Sequence, residues 1–281
     1  MSEQNRNKLN HLEAILPEGL LVDAAWLASR GYYASLRNRY VASGWLQQPA
    51  RGVFRRPRGQ ISWEQAVISL QTLLAYSVTV GGRTALELQG YAHYLPQSQQ
   101  NIHLYSDKKL PIWVFKLPFG GRFISHSYKH LWKTSIASTI PHALNSETTE
   151  GAVLEGDFRV THWGYWKWPL MISTPERAYL ELLDELPEKE TFHMADVMME
   201  GLINISPNRM QNLLEEIKNI KVKRLFFFFA DRHRHAWLSH IDRKKIDCGE
   251  GKRMLVKGGK FDPVYQITVP KEFFVGKENG L

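Results

Sequence analysis

Between Ala24 and Trp63 the chain carries seven arginines and neither a lysine nor an acid. A solvated surface normally interleaves the two signs, because like charges repel. Forty residues without a carboxylate therefore fit a polyanionic partner, most simply nucleic acid. Arginine as the only cation fits forked recognition of phosphates and guanine edges. Spacing sharpens this. At about 100° per residue, a helix over Ala34–Ser43 sets Ser35, Asn38, Arg39 and Ala42 on one face, with Leu36, Tyr40 and Val41 opposite. A forked cation and an amide match guanine and adenine edges, so Ser35, Asn38 and Arg39 are the candidate base contacts. Arg37, Arg51, Arg55, Arg56 and Arg58 are candidate contacts to the DNA backbone, where charge matters more than position. By angle Arg37 falls among the core residues, so it either reaches round to a phosphate or pairs with Asp23. A merely basic, solvated surface is the competing reading for all of these.

Other chemistry is thinly represented. No Gly-x-Ser-x-Gly, Gly-x-Gly-x-x-Gly, phosphate loop or His-Glu-x-x-His occurs, and no Gly-Ser followed by paired acids marks a nucleotidyltransferase. His233, His235, His240 and Cys248 match no familiar metal-ligand spacing, and Arg232, Arg234, Arg243, Lys244 and Lys245 beside them repel a cation. No metal or cofactor is expected, and the chain is not read as an enzyme. Glu155, Asp157 and a later lysine would be the parts of a nuclease, the rival enzymatic reading. Trp163, Tyr165, Trp166 and Trp168, with Lys167 among them, suit base stacking or a partner anchor. Alternating burial on a strand pair is the favoured reading of that cluster.

The elements that would position the candidate contacts follow from periodicity and punctuation. Leu9, Leu12, Ile15 and Leu16 repeat at helical spacing, and Pro17-Glu18-Gly19 ends that helix. Leu20–Arg30 reads as a second helix stopped by Gly31, and Ala34–Ser43 as a third stopped by Gly44. Trp45-Leu46 and Val53-Phe54 read as short strands around the polar turn 47–52. Three short helices and a basic hairpin are the outline of a winged helix-turn-helix. Beyond it, Ile61–Ala75 is predicted helical with Ser62 as N-cap, and Ser77–Val80 is a strand. Gly81-Gly82 then turns the chain into a helix over Arg83–Gly90. Strands are predicted over Ile102–Tyr105, Ile112–Leu117, Arg122–His126 and Phe158–Trp163, with a loop over Asn145–Glu150. Ser173-Thr174-Pro175-Glu176 has capping-box spacing. Helices follow over Glu176–Leu186, Thr191–Leu202 and Pro207–Ile220. Leu225–Phe229 suits either a strand or a buried helix. Arg253–Val256, Gly258-Gly259 and Tyr265–Val269 suggest a closing hairpin.

The fold class is thus α+β: an N-terminal winged helix-turn-helix, then a larger mixed domain ending in a helical region and a hairpin. Domains are expected at 1–76 and 77–281, with a sub-boundary near 173 and a helical part over 173–246. The net charge of +8 over 281 residues divides in the same way. Residues 1–63 carry +5, residues 64–217 carry −5, and residues 218–260 carry +9. An RNA-binding adaptor working through the 218–260 block is a further rival. The single cysteine excludes an internal disulfide framework. The first residues form no secretory signal. The longest apolar run, Leu225–Ala230, is six residues against the roughly 20 that span a bilayer. A cytoplasmic protein without membrane contact is expected.

Three stretches in order resemble the AbiEi family, antitoxins and transcriptional repressors of bacterial type IV toxin–antitoxin systems. One is Tyr40-Val41-Ala42-Ser43-Gly44-Trp45-Leu46 with Arg51-Gly52-Val53-Phe54-Arg55-Arg56-Pro57. Another is Val80-Gly81-Gly82-Arg83-Thr84-Ala85-Leu86 continuing to Leu95. The last runs from Lys223-Arg224-Leu225-Phe226 to His235-Ala236-Trp237-Leu238, then Gly251-Lys252-Arg253 and Val256-Lys257-Gly258-Gly259-Lys260. The resemblance implies that the winged helix binds inverted repeats in the promoter of its own operon. It also implies that the C-terminal domain counters a co-encoded nucleotidyltransferase toxin of the AbiEii type, without requiring a stable complex. Lys221, Lys223, Arg224, Arg243, Lys244, Lys245, Lys252, Arg253 and Lys257 are the candidate antitoxin surface. It further implies that Val222–Leu238 is mostly helical. Tyr32-Tyr33, ahead of the recognition helix, departs from the polar residues expected there.

Overall fold

The structure is a computed structural model that describes residues 3–57, 59–91, 100–134, 150–154 and 157–274. It divides into two compact units. One comprises Met1–Val80, Pro96–Ser127 and Ile136–Ile172; the other comprises Gly81–Leu95, Tyr128–Ser135 and Ser173–Leu281.

The first unit begins with α1 (Glu3–Ile15), β1 (Leu21–Asp23), α2 (Ala24–Ser29), α3 (Ala34–Ala42), β2 (Gln47–Ala50) and β3 (Val53–Arg55). This is the winged-helix order, with two differences from expectation. The helix predicted from Leu20 starts only at Ala24. Leu21–Asp23 is extended and pairs antiparallel with β3, Leu21 opposite Arg55 and Asp23 opposite Val53. Asp23 is a better cap than helix residue: its carboxylate accepts the Trp26 amide at 2.7 Å and so starts α2. The first wing strand is Gln47–Ala50, not Trp45-Leu46. It pairs with β3 across the turn Arg51-Gly52, where Gly52 holds φ +79°. β2 lies at the edge of the order β1-β3-β2, so it tolerates Pro49 and polar side chains that in sequence look like a loop.

The helix α4 (Trp63–Thr72) starts as predicted, with a reciprocal capping box between Ser62 and Gln65. It joins the wing to the central sheet. The Leu21 amide donates to Ser69 Oγ at 2.8 Å. The buried Gln71 side chain donates to the Val78 and Met171 carbonyls at 2.9 and 3.0 Å and accepts from the Met171 amide at 3.0 Å. Further along come β4 (Val78–Val80), α5 (Gly82–Leu88), β5 (Gln100–Ser106), β6 (Gly121–Ser127), α6 (Tyr128–Leu131), β7 (Val153–Leu154), β8 (Phe158–Trp163) and β9 (Trp168–Ser173). Among the described residues the central sheet has the order β6-β5-β4-β9-β8-β7. β5 and β6 are parallel from Gln100 opposite Gly121 to Ser106 opposite Ser127. Parallel neighbours need a crossover, and Ile112–Lys116, predicted as a strand, forms a 3₁₀ helix within it, burying Trp113 and Val114. The loop predicted over Asn145–Glu150 lies almost wholly outside the described residues.

The second unit holds α5 and α6, then α7 (Pro175–Asp184), α8 (Phe192–Gly201), α9 (Pro207–Glu216), α10 (Ile220–His233), β10 (Lys260–Asp262) and β11 (Ile267–Val269). The amide of Gly82, at φ +53°, donates to Glu181 of α7 at 2.9 Å. The glycine turn thus receives an internal carboxylate at the start of α5. Arg177, fully buried, lies over the Trp132 ring at 3.8 Å and pairs with Glu181 at 3.2 Å. The predicted capping box at Ser173 is absent. Thr174 is the N-cap without a side-chain bond, and Glu176 instead accepts from the Ser206 amide and Arg209 at 2.7 and 3.0 Å. α10 resolves the ambiguous phenylalanine run: Val222–Ala230 is buried on all sides, which is how four consecutive phenylalanines fit a helix. The closing hairpin is β10–β11. Arg253 adds only a parallel bridge to Ile267.

Candidate nucleic-acid interface

α3 is amphipathic as its angles require. Leu36 and Tyr40 are buried, whereas Ser35, Asn38 and Arg39 are exposed along the opposite face. Burial raises the Tyr40 hydroxyl above its ordinary range. The N-cap of α3 is Tyr33, which makes no side-chain cap bond and is 67% exposed. Tyr32 points the other way. Its hydroxyl donates to the Lys8 carbonyl at 2.8 Å and meets His11 Nδ1 at 2.9 Å. Burial lifts its pKa to about 12. The Tyr32-Tyr33 pair is therefore divided, one ring fixing α1 and the other bare at the head of α3.

The arginines separate by environment. Arg51 is exposed at the tip of the β2–β3 turn. Arg37 neither reaches outward nor pairs with Asp23. It donates to the Tyr32 and Ala24 carbonyls at 2.8 and 3.4 Å and so ties α3 to α2. Arg55 is 3% exposed. Its guanidinium bonds Gln47 Oε1 at 3.0 Å and the Gly59 carbonyl, and burial lowers its pKa. Expected as a backbone contact, it is instead a pin across the wing. Arg56 is half-buried and bridges Glu13 and Glu18 at 3.3 and 3.4 Å, so both acids of the α1 end compete with any phosphate for it. Arg58 lies outside the described residues.

Part of the C-terminal basic block is engaged inside the fold. Lys221 donates to the Asp184 and Leu186 carbonyls at 2.6 and 2.9 Å. Lys223 is buried, and that burial lowers its pKa. Arg224 is 3% exposed and donates to the carbonyls of Cys248, Gly249, Gly251 and Gln266, closing the 248–266 loop onto α10. Arg243 bonds Asp231, which Tyr265 also reaches. Burial pushes Asp231 up, but the hydrogen bonds from Arg243 and Tyr265 outweigh it and hold its pKa below the usual value. Lys244, Lys245, Lys252, Arg253 and Lys257 are exposed.

The remaining candidates are dispersed. His233 Nε2 meets Asp196 at 2.9 Å and His235 Nε2 meets the Met199 carbonyl at 2.8 Å, while His240 faces Ser239. Asp157 is a turn residue at φ +61°, and Glu155 lies outside the described residues. The tryptophan cluster is a hairpin tip, not a pattern of alternating burial. Trp163 and Trp168 stack at 6.0 Å between ring centres, and beyond them Tyr165 and Trp166 are 91% and 62% exposed. Among the described residues no helix is long and apolar enough to cross a membrane.

Known proteins agree with this architecture. The model of the AbiEi antitoxin N-terminal domain, described as a transcriptional regulator, matches residues 5–97. The model described as "Transcriptional regulator, AbiEi antitoxin, Type IV TA system" matches residues 99–270. Among solved structures, the RV2827C protein from Mycobacterium tuberculosis has a similar fold. It is 16% identical, with a TM-score of 0.57 over 95% of this chain and 91% of that one. No curated protein sequence matches. With both family models in chain order and the fold in agreement, the chain belongs to the AbiEi antitoxin family of type IV toxin–antitoxin systems, a family of transcriptional regulators.

Proposed function

We propose that this regulator represses its own operon by placing α3 in the major groove of inverted promoter repeats, with the β2–β3 turn along the backbone. The observation that carries the reading is the exposed Ser35-Asn38-Arg39 face of α3, backed by buried Leu36 and Tyr40 within an acid-free segment. Ser35, Asn38 and Arg39 read base edges; Arg51 contacts phosphate, and Arg58 is retained as a second such contact. Residues 77–281 counter a co-encoded nucleotidyltransferase toxin, and the protein acts as a binding module without catalysis or cofactor. The functional boundary near residue 76 is not a clean structural cut, because Gln71 ties α4 to β4 and β9.

Fluorescence anisotropy of the full-length protein on its upstream promoter tests the reading. Asn38→Ala and Arg39→Ala are each expected to weaken binding by about 1–3 kcal/mol and to relax preference at one base position. Unchanged promoter affinity in both variants would remove α3 as the reading element. The toxin half is tested by growth of cells expressing the neighbouring nucleotidyltransferase with and without this protein.

The exposed Tyr165-Trp166 tip favours a second reading, in which residues 163–168 stack on single-stranded RNA. Loss of RNA shift in Trp166→Ala, with promoter binding kept, would support it.

A further inference from the structure

A cavity of about 620 Å³ opens beside α2, walled by Trp26, Ser29 and Arg30 on one side and by the chain leaving α4 together with Lys108 on the other. Its size falls in the range of small-molecule sites. Its chemistry is defined. Arg30 lies over the Trp26 ring at 3.8 Å and donates to Ser29 Oγ at 3.2 Å. Lys108 is exposed at the rim. The Trp26 indole N–H is buried and has no hydrogen-bond partner among the described residues, a state that costs about 1–3 kcal/mol. Tyr76 adds a hydroxyl that remains protonated, because burial and the Asp23 charge raise its pKa. Asp23 is the acid among the described lining residues, and one oxygen of its carboxylate already receives the Trp26 amide. Two cations therefore face one engaged carboxylate. Residues 73–75 close the wall with apolar surface, and Ala75 holds a left-handed φ of +52°, the kind of backbone strain that gathers at ligand sites.

We propose that this cavity binds a small organic anion, a carboxylate or phosphate ester with an apolar portion, and that occupancy changes DNA affinity through α2. Arg30 and Lys108 hold the anionic group, and Trp26 and Tyr76 donate hydrogen bonds; the Ser29 hydroxyl is already given to the Trp26 carbonyl at 2.8 Å. α2 and α3 move as one piece, because Arg37 on α3 is bonded to the carbonyls of Ala24, at the start of α2, and Tyr32, in the connection between the two helices. Drawing Arg30 off the Trp26 ring shifts the end of α2 that leads directly into α3. The coupling rests on α3 being the DNA-reading helix; the binding site does not.

The experiment is calorimetric titration of the full-length protein with citrate, inorganic pyrophosphate and adenosine monophosphate at fixed ionic strength. Saturable binding by at least one is expected, weakened about tenfold or more in Arg30→Gln and in Lys108→Ala and unchanged in Arg51→Ala. Circular dichroism checks that each variant is folded. The bound anion is expected to change promoter affinity about fivefold or more. No saturable binding by any of the three, or binding indifferent to Arg30 and Lys108, overturns the site. Arg30→Gln weakening the promoter complex and its salt dependence without any anion present makes the cavity part of the DNA footprint and overturns it equally. If the anion binds while Asn38→Ala and Arg39→Ala leave promoter binding intact, the pocket stands and the reading of α3 fails.

Discussion

Arg51 and Arg55 stand four residues apart and are indistinguishable by charge, yet their environments demand opposite phenotypes. Arg55 is 3% exposed, with its guanidinium shared between Gln47 and the Gly59 carbonyl. Arg55→Ala removes two charge-assisted bonds and leaves Gln47 and Gly59 without their donor. At about 1–1.5 kcal/mol net for each bond, the variant loses about 2–3 kcal/mol of stability. For a chain of this size that lowers Tm by about 5–10 °C. Arg51 is exposed on the wing, and Arg51→Ala stays within about 0.5 kcal/mol of the parent. On DNA the order reverses. Losing one phosphate contact reduces the slope of log K against log salt by about 0.9, so raising salt fourfold costs the variant about three- to fourfold less affinity than the parent. Arg55→Ala, assayed well below its Tm, keeps the parental slope. Differential scanning fluorimetry and anisotropy across a salt series measure both quantities on the same preparations. An Arg55→Ala protein with parental Tm and a slope reduced by about one unit would falsify the inward assignment and return Arg55 to the DNA backbone.

Three further outcomes follow from the packing and the charges. Gln71→Leu breaks the bonds to Val78 and Met171 in a fully buried position and should cost about 2–4 kcal/mol by urea unfolding; a neutral result would mean α4 is not joined to β4 and β9 this way. Phe229→Ala, in the wholly buried centre of α10, should cost about 3–5 kcal/mol by the same measurement. The pKa of Asp231 is lowered in the folded state, so its contribution is present above the unfolded carboxylate pKa and is lost as pH falls through the folded one. Asp231→Asn should therefore flatten the decline of Tm on acidification below about pH 4, and an unchanged acid limb would show that the Arg243 and Tyr265 bonds add nothing.

Much of the architecture was legible because local and tertiary preferences agree. Ser62 and Gln65 form the capping box that their spacing announces, and Leu36 and Tyr40 turn inward as their angle on α3 requires. Failures came where tertiary pairing outvoted local pattern. Leu21-Val22 is an apolar doublet that suits helix or strand, and pairing with Val53–Arg55 decides for strand. Gln47-Gln48-Pro49 is polar because it forms an edge, which no periodicity reveals. Ile112–Leu117 has strand composition, but the parallel pair β5–β6 needs a connection there. For the candidate site, the exposed α3 face was recoverable from helical angle alone. The fates of Arg37, Arg55 and Arg56 were not, because each is set by carbonyls or carboxylates 4 to 43 residues away in sequence. The cavity beside α2 was invisible for the same reason: Trp26, Tyr76 and Lys108 share no motif.

The basic block near the C-terminus carries the same lesson to a functional consequence. Residues 218–260 hold the largest excess of positive charge in the chain, and counting that charge suggests a broad polyanion-binding face. Burial redistributes it. Arg224 is consumed by four backbone carbonyls, Lys221 by two, and Arg232 and Arg243 by Asp196 and Asp231. Arg224 and Lys221 satisfy loop and helix-end carbonyls that would otherwise be bare. The cations that stay exposed among the candidates are Arg243, Lys244, Lys245, Lys252, Arg253 and Lys257, which narrows the proposed antitoxin surface to residues 243–257. Lys218, Arg232, Arg234 and Lys260 are exposed as well, so the block keeps a positive face whose attraction for a polyanion grows with the number of charges it neutralises. Within that face, the exposed cations of residues 243–257 are where the search for the toxin-opposing contact should concentrate.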